Sequence, residues 1–158
     1  MSRVLTALVL IPLVLYVVLW GPPWLVPAVA SLVAVICYQE YSSIAAAYRM
    51  GDPGPLGYVV GLALMLAPTE FTLPLLAGCA ILALTLAMRQ ADLGKALPRA
   101  ALLVTGVVYI FGCWRFANLL HRASPYWLLF GLVLCWIGDA GAYYVGRWLG
   151  RHKLAPRI

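Results

Sequence analysis

Six long apolar runs, each closed by Pro, Gly or a cluster of charges, constrain this chain more than any other feature. Backbone that crosses hydrocarbon must satisfy its own N–H and C=O groups, so a run of about 20 apolar residues in a membrane is a helix. Residues 4–20 contain only Thr6 as a clearly polar side chain and stop at Gly21-Pro22-Pro23, which cannot continue a helix. The second run spans residues 25–47 and carries Glu40. The turn cluster Gly51-Asp52-Pro53-Gly54-Pro55 separates it from residues 56–67, and Pro68-Thr69-Glu70 precedes residues 73–88. A charged loop with Arg89, Asp92, Lys95 and Arg99 leads to residues 100–120, and the last run is 127–145. The expectation is an all-α, polytopic transmembrane bundle of about six spans (five to seven), forming one domain over 1–158, with both termini cytoplasmic.

Composition supports this reading. Hydrophobic residues make up 65% and charged residues 10%, where a soluble domain uses roughly a quarter of its positions for charges. Soluble, disordered, collagen-like and disulfide-scaffold classes are excluded together. The 11 Lys and Arg against 5 Asp and Glu sit at the ends of the runs, where they orient helices, so nucleic acid is not an expected partner. Six spans place nine cations, including Arg3, Arg49, Arg89, Lys95, Arg99 and Arg147, on the cytoplasmic side and leave Arg115 and Arg122 opposite. Fusing 56–88 into one helix would reverse that bias and put Glu70 in mid-bilayer. The third run is short for a span, so it has to stand upright, sit in thin bilayer or re-enter.

Residues 4–20 exceed the 7–15 residue core typical of a signal peptide, and prolines follow at once, so an anchored first helix is expected. The cysteines Cys37, Cys79, Cys113 and Cys135 lie inside apolar runs with no CxxC pair, and are read as small buried thiols. His121 and His152 are too far apart in the pattern for a zinc site. No internal repeat supports an inverted-repeat transporter.

The chemistry-bearing stretch is 134–158. Asp139 lies inside an apolar helix, where a carboxylate costs about 2.5–3.5 kcal/mol and is a functional hypothesis by default. At four-residue spacing Asp139, Tyr143, Arg147 and Arg151 form one stripe, and Gly138, Ala142, Gly146 and Gly150 form a neighbouring small stripe expected to meet another helix of the bundle. Two readings of the charged stripe stay open: neutralisation of Asp139 by Arg147 along the helix, or a site for a metal and phosphates. Carboxylates hold Mg²⁺ and cations hold phosphate. Arg147, Arg151, His152, Lys153 and Arg157 also fit a plain orientation signal that attracts anionic headgroups. Gly146-x-x-x-Gly150-x-x-Lys153 is not a phosphate loop. Glu40 either meets Arg49, shares a cavity with Asp139, or snorkels, and Arg115 either needs a deep partner or snorkels. Trp20, Trp24, Tyr126 and Trp127 read as interface anchors.

The pattern Trp136-x-x-Asp139-x-x-Ala142-Tyr143-x-x-Gly146-Arg147-x-x-Gly150-x-x-Lys153-Leu154-x-Pro156-x-Ile158 resembles the phosphatidate cytidylyltransferases, the CDP-diacylglycerol synthases. Arg3 before the first run and Glu40-Tyr41 near the end of the second are similar to that family too. The resemblance implies transfer of a cytidylyl group from CTP to phosphatidic acid with Mg²⁺, in the bilayer of a bacterial cytoplasmic membrane. It implies Asp139 as the catalytic and metal-binding residue, and Arg147, Arg151, Lys153 and Tyr143 as substrate contacts. Homodimerisation is left open. Family members continue after the position of Ile158 with a Ser-Pro-x-Lys-Thr-like segment and an acidic signature. The chain is therefore expected to be the amino-terminal part of such an enzyme and inactive alone. The rival expectation is a small non-enzymatic membrane protein, a transporter half or an assembly factor, with Asp139 as a structural or ion-pathway charge.

Overall fold

The computed structural model describes residues 2–48, 50, 52, 54–89, 94 and 96–150, and the side chains of these apart from 2–6 and 149. Each expected run is helical, and the described residues contain no strand. The helices are α1 (Ser2–Trp20), α2 (Leu25–Ala47), α3 (Leu56–Leu66), α4 (Thr72–Met88), α5 (Ala96–Gly106), α6 (Cys113–Ala123) and α7 (Pro125–Leu149). A 3-10 turn, Thr69–Phe71, leads into α4, and a π-helical stretch, Val107–Gly112, joins α5 to α6 without a break. Four rods are long and apolar enough to cross a membrane: Leu25–Ala47, Thr69–Met88, Ala96–Ala123 and Pro125–Trp148. Leu56–Leu66 is apolar but shorter, and the described side chains of α1, from Ala7 to Trp20, are apolar as well. Length and composition thus mark four crossings among the described residues, whereas the expected six spans rest on the charge pattern.

Local chemistry sets the breaks. Ala67 precedes Pro68 and is pushed out of the helical region, to φ −66° and ψ 153°, which ends α3. Ser124 is extended for the same reason, before Pro125. Its hydroxyl accepts from the Tyr126 N–H and Pro125 occupies the first turn of α7, where its missing N–H costs nothing.

Three buried clusters hold the rods together. Ala83 and Ala87 of α4 face Ala96 and Ala100 of α5, with Cys79, Leu64, Leu103 and Val107 around them. Small side chains let these helices approach closely, which is how helices gain packing where lipid removes the hydrophobic drive. In the second cluster Tyr38 of α2 lies fully buried against Tyr58 (centroids 4.7 Å, edge to face) and Phe111 (5.4 Å). Gly57 and Gly61 of α3 are required there, because a Cβ at either would overlap the Tyr38 or the Phe111 ring. Val18, Val26 and Leu128 join α1, α2 and α7.

Arg115 fastens α3 to α6. Its guanidinium is buried and donates from Nη1 to the carbonyl oxygens of Leu64 and Ala67, the latter at 2.8 Å, so it caps the negative end of the α3 dipole. Of the alternatives for Arg115, the deep partner is the one observed. From Arg115 to the end of α6 is a further eight residues, about 12 Å of rise. His121 there lies 3.1 Å from the Val18 carbonyl, near the α1–α2 turn. The α3–α4 turn lies beside this last part of α6, where Pro68 and Thr69 share a cavity with Asn118 and Arg122.

Candidate functional site

α7 carries the sequence-predicted residues and leaves the bundle half way along. Its first half packs through Leu128, Leu129 and Leu132, whereas every residue from Ile137 to Trp148 is exposed. With Pro125 at one membrane face, Asp139 lies about 21 Å along the helix and Arg147 about 33 Å, against a hydrocarbon core of about 30 Å.

The charged stripe is present as a line on α7. Arg147 Nη1 lies 3.3 Å from the Tyr143 hydroxyl, one turn away, and the Tyr143 and Tyr144 rings meet edge to face at 5.5 Å. Asp139 is exposed and makes no hydrogen bond or ion pair with a described residue. It stands eight residues from Arg147, about 12 Å along the axis, so direct neutralisation of Asp139 by Arg147 is not formed. Arg151, Lys153, His152 and Arg157 lie outside the described residues, as do Arg49, Asp92 and Lys95. The structure thus brings Tyr143 and Arg147 together and places Asp139 two turns away on the same face.

Two expectations are corrected. The small stripe of Gly138, Ala142, Gly146 and Gly150 meets no other described helix: added Cβ atoms at Gly138, Gly141 and Gly146 reach nothing within 4 Å, and one at Gly150 meets only the backbone of Gly146. Nor are all four cysteines buried: Cys79 is, and Cys37 is half-buried, but Cys113 and Cys135 are exposed. Their apolar surroundings in sequence mark helices, not which face of a helix packs. Glu40 is exposed and bonds to no described residue.

Among the described residues no group of three His, Cys, Asp or Glu side chains converges, so Asp139 offers one carboxylate and does not complete a metal site. Mg²⁺ ordinarily takes one or two carboxylates and completes its shell with water and substrate phosphates.

Sequence reasoning missed Asn118. It is buried one turn beyond Arg115, and its Oδ1 has no hydrogen-bond partner. Asn118, Arg115, Arg122 and Thr69 line a cavity of about 250 Å³ above the α3–α4 turn. The available signal was the polar stripe of Arg115, Asn118, His121 and Arg122 at three- and four-residue spacing on α6.

These features define a helical protein with four rods suited to crossing a membrane and an acid-to-base stripe on its last helix. A family model described as the cytidylyltransferase family matches residues 1–158, and the chain belongs to that family. Membership supports transfer that uses CTP as the general chemistry. No solved structure matches the chain.

Proposed function

We propose that the chain belongs to a membrane enzyme that transfers the cytidylyl group of CTP to phosphatidic acid. A phosphate oxygen of phosphatidic acid forms a bond to the α-phosphorus of CTP, the bond to the β-phosphate breaks, and CDP-diacylglycerol and pyrophosphate leave. The observation that carries the reading is the α7 stripe. A carboxylate sits at membrane depth, and Tyr143 and Arg147 lie toward the water, in a chain whose whole length matches the cytidylyltransferase family. Arg147, held by the Tyr143 hydroxyl, offers a planar guanidinium to phosphate oxygens. Positive charge placed there offsets repulsion between two anionic substrates and stabilises the departing pyrophosphate. Arg151 and Lys153 extend the same cationic role in sequence.

The acceptor suits the placement. CTP arrives from water at the Arg147 end while acyl chains stay beside the apolar part of α7. Asp139 supplies one ligand for Mg²⁺ in this proposal, with the rest of the shell coming from substrate phosphates and from groups beyond the described residues. A bacterial cytoplasmic membrane is the proposed location, and homodimerisation a proposed state.

The test uses membranes carrying the complete protein, radiolabelled CTP and phosphatidic acid. Asp139→Asn should lower CDP-diacylglycerol formation by about 100-fold or more, the scale of losing a group that acts in the transition state. Wild-type rates in that variant would remove Asp139 from the site. Dependence of product formation on CTP separates this reading from an ion-pathway role.

A further inference from the structure

The α7 stripe leaves a second polar cavity unused, at the opposite end of the bundle from Arg115 and on the side assigned to the cytoplasm by charge. It measures about 390 Å³ and lies where α3 begins, α4 ends and α5 begins. Arg89, just past the end of α4, and Arg99, in the first turn of α5, both line it. Arg89 is exposed and Arg99 half-buried. The floor is apolar, formed by Leu56, Leu86 and Leu103 with the alanines of the α4–α5 seam.

Three observations point to the ligand. Among the described residues the mouth holds two guanidiniums and one carboxylate, Asp52, whose Oδ1 accepts from Ser42 Oγ (2.6 Å) and Gly54 N (2.8 Å). The start of α3, at Gly54, Pro55 and Leu56, contributes the positive end of an 11-residue helix to the same wall. The cationic mouth opens directly onto leucines. A soluble anion has no use for such a floor, whereas an amphiphile with a phosphate at one end and hydrocarbon at the other matches both parts.

We propose that this cavity binds the phosphate of an anionic phospholipid, with the headgroup between Arg89 and Arg99 and the upper acyl carbons on Leu56, Leu86 and Leu103. The site is separate from the α7 stripe and does not rest on the proposed reaction. It provides a resident lipid that braces the α3–α4–α5 junction.

The experiment is native mass spectrometry of the complete protein, released from detergent micelles doped with phosphatidylglycerol or, in parallel, phosphatidylcholine. Wild type should retain phosphatidylglycerol in clear preference to phosphatidylcholine. The variant Arg89→Gln/Arg99→Gln should lose that retention about tenfold, the equivalent of about 1.4 kcal/mol, while Arg122→Gln at the far end keeps it. Arg89→Gln alone, at an exposed side chain that leaves the core intact, should show a partial loss, and Arg89→Lys/Arg99→Lys should recover most of the binding. Equal retention by wild type and the double Gln variant would overturn the proposal. So would equal retention of both lipids. Displacement of phosphatidylglycerol by millimolar inorganic phosphate would overturn the lipid assignment in favour of a free-anion site. Turnover is not read, so neither result bears on the Asp139 test.

Discussion

Two tyrosines three residues apart on α2 meet different fates. Tyr41 donates its hydroxyl to the Leu102 carbonyl at 3.0 Å, while the hydroxyl of Tyr38, deeper in the cluster, is buried without a partner. Removing a made bond leaves an orphaned acceptor, whereas removing an unmade one relieves a desolvated donor. Tyr41→Phe should therefore cost about 1 kcal/mol and Tyr38→Phe should be neutral or stabilising, read as thermal midpoints of the detergent-solubilised protein. Asp52 gives a pH-dependent counterpart. Donation from Ser42 Oγ and then from the Gly54 N–H holds its carboxyl below the usual carboxylate range. A depressed folded pKa adds stability that is present above the unfolded value and is lost as pH falls through the folded one. The midpoint difference between wild type and Asp52→Asn should be visible at neutral pH and close as pH falls below the ordinary Asp value of about 3.9. A difference that persists in acid would mean that charge on Asp52 is not what fastens the turn.

Helices are legible in the sequence because their punctuation is chemical: Gly21-Pro22-Pro23, Pro68 and Ser124-Pro125 each stop or start a rod close to the expected place. What the pattern does not convey is which face of an apolar helix packs, because nearly every position on it is apolar. That is why Cys113 and Cys135 and the small stripe of α7 lack the partners the sequence suggests for them. Arg115 stands out as an anomaly, but its partners are backbone carbonyls of α3, which no side-chain pattern displays. Arg115→Met should leave those carbonyls unmet inside the bundle and cost about 1.5–3 kcal/mol, the range for bonds from a charged donor. A midpoint unchanged by Arg115→Met would show that α3 is held by Gly57 and Gly61 packing alone. The π stretch Val107–Gly112 sets which way Arg115 points. Such a stretch commonly marks one inserted residue, and one residue turns the following helix by about 100°.

At the scale of the molecule the candidate site is legible in the sequence as a line of residues and not as a cavity, because the half of α7 that bears it stands clear of the bundle. The aromatics Trp20, Trp24, Tyr126 and Trp127 are exposed and sit together at the end reached by α1, α2 and α7, where an interfacial belt belongs. On that reference the α3–α4 turn, with exposed Glu70, lies beside the stretch of α6 from Arg115 to Arg122. A single cysteine at Glu70 should be labelled by a membrane-impermeant maleimide from the same side as one at Ser124, and one at Arg89 from the opposite side. Protection of the Glu70 position from both sides would place the turn in dry lipid. Labelling implies that one bilayer is asked for two thicknesses around this protein. Acyl chains beside α1, α4 and α7 stand at full height, while those beside the 11-residue α3 must shorten, splay or give way to water. The outer leaflet then dips along that flank, and a neighbour with a matching short wall would settle there to relieve the curvature.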